Sequence, residues 1–255
     1  MSATLPRSAL VTGGARRIGR AIVETLAADG YAVAIHCHAS RAEADALAAR
    51  IGAAGGRAAV VVADLADEDA VQGLVPQAER ALGPIGILVN NASVFEHDDA
   101  RTATRASWDR HLGTNLRAPF VLAQAFAGRL PAEADGLIVN LLDQRVWSLT
   151  PHFISYTVSK SGLWTLTRTL ALALAPRIRV CAIGPGPTLP SPRQSEAQFD
   201  RQVAGVPLRR GPALDEVAAA LRFLIAARSF TGQMLALDGG QHLNWGPAGP
   251  AAAEE

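Results

Sequence analysis

Lysine is nearly missing from this chain of 255 residues: of its 24 lysine and arginine residues, only Lys160 is lysine. Tyrosine is almost as scarce, with Tyr31 and Tyr156 alone. Cysteine occurs twice, at Cys37 and Cys181, each inside an apolar run and without the spacing of metal ligands. Both read as small buried hydrophobes, and no metal is expected. No apolar run reaches the roughly 18–20 residues that cross a bilayer. Met1 to Leu10 lack the apolar stretch of a secretion signal, which makes the cytoplasm the expected compartment. A net charge of +1 gives no electrostatic reason to bind nucleic acid or a membrane surface. What is present is 49% hydrophobic and 18% charged, too apolar for disorder and sufficient for one sizeable core. The partner expected is a small molecule.

Short apolar runs alternate with longer amphipathic ones, the signature of βαβ units and a parallel sheet. Strands are predicted over Ala9–Thr12, Ala32–His36, Ala58–Ala63, Ile87–Asn90, Gly136–Leu142, Arg179–Ile183 and Met234–Leu237. Helices are predicted over about 18–28, 42–51, 67–82, 108–129, 153–175 and 215–227. The expected fold class is α/β, a single domain over 1–245 whose doubly wound parallel sheet of about seven strands carries helices on both faces. Between the sixth and seventh strands, 184–211 is rich in Pro, Gly, Ser and Arg. A connection of that length, leaving the carboxyl edge of a sheet where ligands bind, reads as a substrate lid. The Pro/Ala/Gly-rich tail, 246–255, is expected to be flexible.

Whatever removed lysine elsewhere spared position 160, four residues after one of the two tyrosines. On a helix, residues four apart share a face, so a phenol and an ammonium can meet in one pocket. A nearby cation favours phenolate and brings the tyrosine closer to working pH. Lysine offers a compact point charge with three donors, a task the planar guanidinium of arginine does not match. The same pair could also lie solvated on a helix surface.

Thr12-Gly13-Gly14-Ala15-Arg16-Arg17-Ile18-Gly19 follows the first strand and opens the first helix. Glycines there permit a tight turn and close approach of backbone to a pyrophosphate. The end of the second strand reads His36-Cys37-His38-Ala39-Ser40-Arg41, without the acid that would bond a ribose 2′-hydroxyl. Together with Arg16 and Arg17, this favours a 2′-phosphate and hence NADPH over NADH. His36 and His38 serve either as phosphate contacts or as simple strand-end residues. Asp64, with Leu65 after it, is placed to accept from an adenine amine, and Asn90-Asn91-Ala92 would lie against a ribose.

Taken together, these motifs resemble the short-chain dehydrogenase/reductase family. The resemblance runs from the glycine turn through Asn91, Asn115, Tyr156-x-x-x-Lys160 and Gly184-Pro185-Gly186 to Asp238-Gly239-Gly240. It implies a Rossmann-type fold, a homotetramer built on helices 108–129 and 153–175, and cofactor contacts at Pro185 and Gly186. It also implies that Tyr156 is the proton donor, that Lys160 lowers its pKa and bonds the nicotinamide ribose, and that Asn115 helps to hold a relay water. Two positions depart from the family pattern: the middle glycine of the turn is Arg17, and the usual catalytic serine is Asp143. Both departures are similar to the pteridine reductase branch, as are His36-Cys37-His38-Ala39-Ser40 and Asn91-Ala92-Ser93-Val94-Phe95. That likeness implies that Phe95 stacks on a pterin, Arg17 serves cofactor phosphate and substrate, and Ser93 lines the site. Ala39 departs from the arginine often found there, which bears on 2′-phosphate affinity.

Asp for Ser changes the chemistry. A hydroxyl donates and polarises a ketone, whereas a carboxylate accepts N–H groups or delivers a proton. The expected activity is therefore reduction of a pteridine C=N bond, of the dihydropterin or dihydrofolate type, by NADPH. The alternatives are a carbonyl or 3-oxoacyl reductase and a non-catalytic NADPH-binding protein.

Overall fold

The computed structural model describes residues 4–191 and 193–243. The expected tail, 246–255, lies outside the described residues, as do the outermost residues of the expected domain. Among the described residues, the apolar runs form β1 (Ser8–Val11), β2 (Ala32–Cys37), β3 (Ala58–Val62), β4 (Ile87–Asn90), β5 (Gly136–Leu141), β6 (Ile178–Pro185) and β7 (Met234–Leu237). They make one sheet in the order β3-β2-β1-β4-β5-β6-β7, with every neighbouring pair parallel. Chain order reverses between β1 and β4, and the carboxyl ends of strands at such a reversal open a ligand crevice.

The helices are α1 (Arg17–Ala28), α2 (Arg41–Ala53), α3 (Glu68–Leu82), α4 (Arg105–Leu112), α5 (Ala118–Arg129), α6 (Ile154–Ala173), α7 (Glu196–Ala204) and α8 (Leu214–Ala226). Alternation along β1 sends Ala9 and Val11 to one face and Leu10 to the other. The first face is covered by α1, α2 and α8 through residues such as Ile22, Leu26, Leu47 and Leu221, the second by α3 and α5 through Leu74, Val75, Leu122 and Phe126. Each such side chain contributes about 1.5–3 kcal/mol on burial, so both layers are held by many comparable contacts. Asp67 starts α3 by accepting from the backbone N–H groups of Asp69 and Ala70.

Two elements differ from the sequence expectation, and both shape the crevice. The helix predicted over 108–129 is two helices joined by a π turn, Gly113–Arg117. The extra residue in that turn disturbs the ordinary helical repeat around Asn115, which is buried there. The lid predicted as a loop over 184–211 gives its first two residues to β6 and contains α7. Ser195 and Gln198 build that helix's start, each side chain bonding the other's backbone N–H.

Candidate active site

The glycine turn is shaped by contacts that no larger residue permits. A Cβ on Gly19 would lie 2.1 Å from the carbonyl oxygen of Gly13 and 2.5 Å from Asn91 Nδ2. Asn91 Nδ2 donates to the carbonyls of Thr12 and Gly13 at 2.8 and 3.2 Å, and the backbone N–H groups of Asn91 and Ala92 donate to Thr12 Oγ1. Turn and β4 are thus one unit. Gly19→Ala should weaken NADPH binding by roughly 10- to 100-fold through overpacking, measured as a dissociation constant by fluorescence titration. Arg17 holds φ +52°, a left-handed conformation that costs a side chain on the order of 1–2 kcal/mol and that a glycine would adopt freely. Its guanidinium donates to the carbonyls of Pro190 and Leu189 at 2.9 and 3.2 Å, so this strained residue reaches across the crevice to the lid.

On one side of the turn lies a cavity of about 280 Å³, walled by Gly13, Arg16, His36, His38, Ser40, Asp64, Leu65, Ala92 and Ser93 among others. His36 does not act there as a phosphate-binding cation. It is 2% exposed, accepts from the Gly13 backbone N–H at Nδ1 (3.1 Å) and bonds the Ala63 carbonyl through Nε2 (3.1 Å). Burial pushes its pKa down to about 4, so it is a neutral brace beneath the turn. Arg16 pairs with Glu43, His38 is exposed, and Ser40 opens α2 without spending its hydroxyl on the cap. Asp64 Oδ1 accepts from the Ala66 N–H. Ser93 is exposed on this cavity's wall.

On the other side, a cavity of about 210 Å³ is lined by Arg17, Ile18, Phe95, Asp143, Tyr156, Pro185, Gly186 and the lid. Tyr156 Oη donates to Asp143 Oδ2 at 2.9 Å, while Asp143 Oδ1 accepts from the Arg145 backbone N–H at 2.8 Å. Burial, then the charge of Asp143, then its hydrogen bond hold the Tyr156 phenol well above its ordinary pKa. Lys160 Nζ lies 5.7 Å from the Tyr156 ring centroid, yet donates to the Leu141 carbonyl at 2.8 Å. Lys160 is itself pushed down to about 8 by burial, opposed by Asp143. The cation that draws the Tyr156 pKa down is Arg145. Asn115, expected to help hold a relay water, commits its carboxamide to protein. Oδ1 accepts from Val94 N at 2.7 Å, and Nδ2 donates to Val94 O and Ser159 Oγ. Asn115 thereby fixes the loop that carries Phe95.

Sequence reasoning missed the groups that hold this loop against α6. Phe95 stacks on Phe153 with ring centroids 4.5 Å apart and meets Tyr156 in a T-shaped contact at 4.7 Å. Phe153, at φ +58°, donates its backbone N–H to Asp98 O. Asp98 Oδ1 accepts from Ser155 N at 3.1 Å and Oδ2 from Ser107 Oγ at 3.2 Å, capping α6 from a distant loop. Asp98→Ala should cost about 2–3 kcal/mol of stability, read from urea unfolding, by stranding the Ser155 N–H at the start of the catalytic helix. Arg193 of the lid donates to Phe95 O at 2.9 Å.

A doubly wound sheet with a glycine turn at its switch point and a buried Tyr–Lys pair beside it defines a nucleotide-dependent oxidoreductase. The sequence profile described as short chain dehydrogenase matches residues 7–201, and the chain belongs to that family. Among solved structures it is similar to FolM Alternative dihydrofolate reductase 1 from Brucella canis, complexed with NADP. The identity is 55% and the TM-score 0.93, covering 96% of this chain and 98% of that one. The corresponding protein of Brucella suis, also in complex with NADP, is 56% identical with a TM-score of 0.92, at the same coverage. A 3-oxoacyl-[acyl-carrier-protein] reductase FabG of Staphylococcus epidermidis is 31% identical over 242 residues, 93% of this chain and 99% of that protein. No described helix is long and apolar enough to cross a membrane.

Proposed function

We propose that this enzyme reduces a C=N bond of a dihydropteridine, of the dihydropterin or dihydrofolate type, with NADPH. The observation that carries the reading is the Asp143 carboxylate 2.9 Å from the Tyr156 hydroxyl, where a carbonyl reductase of this family would present a neutral hydroxyl donor. The likeness to the two FolM proteins supports it, at higher identity than that to the 3-oxoacyl reductase.

The chain's residues fit NADPH. Gly13 borders the cavity on one side of the turn and Gly186 the cavity on the other, and with no side chain each leaves its backbone open to a ligand there. Arg16, His38 and Ser40 supply charge and donors for a 2′-phosphate, Asp64 and Leu65 border the adenine, and Asn91, Ala92, Ile18, Pro185 and Gly186 border the ribose and nicotinamide. When bound, NADPH supplies a hydride. Tyr156 holds the proton for the ring nitrogen at Oη. Asp143 fixes that hydroxyl and, as an acceptor, suits the N–H groups of a reduced pteridine. Lys160 places a cation beneath Tyr156, Phe95 offers a flat apolar wall, and Arg17 and the lid confine the substrate. Alignment at contact distance supplies much of the rate.

The test is turnover of dihydrobiopterin, dihydromonapterin and dihydrofolate beside an acetoacetyl thioester, followed as NADPH oxidation. Dihydropteridine turnover is the expected result; turnover of the thioester alone overturns the reading. A homotetramer in the cytoplasm belongs to the same proposal. It is supported by an apolar groove of about 510 Å³ bordered by Leu112, Leu116, Phe120 and Leu166 on the long helices. Analytical ultracentrifugation reads the assembly directly.

A further inference from the structure

Arg145 follows the catalytic carboxylate by two positions and is only 4% exposed, although it carries a permanent charge. Desolvating a guanidinium is unfavourable unless the fold recovers that cost elsewhere. Its Nη1 donates to Thr150 Oγ1 at 2.8 Å, and Thr150 Oγ1 in turn donates to the His152 carbonyl at 3.1 Å, which ties down the segment leading into α6. Its planar carbon lies 4.9 Å from the Phe153 ring centroid and 5.9 Å from that of Phe95. The residue also lines the catalytic cavity.

We infer that Arg145 is a positioning residue of the reduction: its charge offsets the anion left on Tyr156 beside Asp143, and its plane keeps Phe95 and Phe153 stacked. The inference rests on the proposed reaction, in which a hydride from NADPH adds to the ring carbon and a proton passes from Tyr156 to the ring nitrogen. The C=N double bond becomes a single bond, NADPH is oxidised, and Tyr156 is left as phenolate until solvent returns its proton. At that moment two negative oxygens stand 2.9 Å apart, a separation at which like charges repel strongly in a buried site. Lys160 approaches from α6 with its hydrogen bond directed to Leu141, and Arg145 sits against the Phe95 and Phe153 rings that pack beside Tyr156. The remaining charged and titratable groups around Tyr156 are committed elsewhere. His111 of α4, whose ring is 6.3 Å from that of Tyr156, accepts from Glu96 N and bonds Ser107 O. Glu96 pairs with Arg110, and Asp98 caps α6. His97 and His152 pack together at the rim, while Arg17 and Arg193 hold the lid and its loop.

Two variants separate charge from plane. Arg145→Met should lower kcat roughly 10- to 100-fold and move both limbs of the kcat–pH profile to higher pH, because a lost cation makes each neighbouring proton harder to remove. Arg145→Lys keeps the charge, so it should retain both pH limbs while raising KM through the loosened ring stack. An Arg145→Met enzyme with native pH limbs overturns the inference, as does an Arg145→Lys enzyme that shifts both limbs. Should the native enzyme reduce no dihydropteridine, the proposed substrate class falls. The pH limbs of thioester turnover then decide the role of Arg145 on their own.

Discussion

Lys160→Met should lose about 10²- to 10⁴-fold in kcat and yet unfold at a higher denaturant concentration than the native protein. The activity loss follows from removing the buried cation below the proton donor. The gain in stability follows from burial. Lys160 is 3% exposed and titrates at about 8 in the folded chain, against 10.5 for an ordinary lysine. A difference of that size corresponds to a penalty of about 3 kcal/mol for keeping the ammonium buried near neutral pH, part of which the hydrogen bond to Leu141 recovers. The sign with pH is fixed by the same shift. Between about 8 and 10.5 the unfolded chain binds the lysine proton and the folded chain does not, so native stability should rise with pH across that window. Lys160→Met should lack this rise, and urea midpoints from pH 7 to 10 would display the difference. Lys160→Arg should lose both activity and stability, because arginine cannot shed its proton and does not fit the space. A Lys160→Met protein less stable than native at pH 7 would show that the ammonium is held by more than burial allows.

Asp143→Ser should cost at least about 10²-fold in kcat/KM on a dihydropteridine while leaving turnover of an acetoacetyl thioester equal or improved. The charge of Asp143 and its hydrogen bond both raise the Tyr156 pKa, so serine in its place should move the phenol back toward the ordinary range. A hydroxyl then donates to a ketone oxygen but no longer accepts the N–H edge of a reduced pteridine. Serine can still accept from the Arg145 backbone N–H, now made by Asp143 Oδ1, so the short turn after β5 should survive. Parallel steady-state assays on both substrates read the exchange. Equal activity of native and variant on the dihydropteridine would move the substrate reading to the carbonyl class.

Much of this architecture was legible in the spacing of apolar residues. Ile87–Asn90 and Met234–Leu237 carry the same bounds in sequence and structure, because a parallel strand, central or at the edge, is here a short aliphatic run ended by polar or glycine residues. The Tyr156–Lys160 pair was legible from composition and helical spacing. What was hidden lies where side chains bond backbone far away in sequence. A histidine at a strand end looks like a phosphate contact until His36 is seen to accept from Gly13, 23 positions away. Asn115 sits in an ordinary helical pattern, and nothing local announces the π turn or its clamp on Val94. Arg145 follows Asp143 and Gln144 in a polar stretch, and its burial depends on long-range packing that includes the Phe95 and Phe153 rings. The helix inside the lid did leave a trace in Ser195-Glu196-Ala197-Gln198, a capping box masked by its Pro- and Arg-rich surroundings.

The lid is gripped from two sides, by Arg17 on the carbonyls of Leu189 and Pro190 and by Arg193 on the carbonyl of Phe95. All three acceptors are main-chain oxygens, which every amino acid supplies. The fastening is therefore indifferent to the side chains it holds down. A substitution at Leu189 or Phe95 leaves the acceptor of each bond in place.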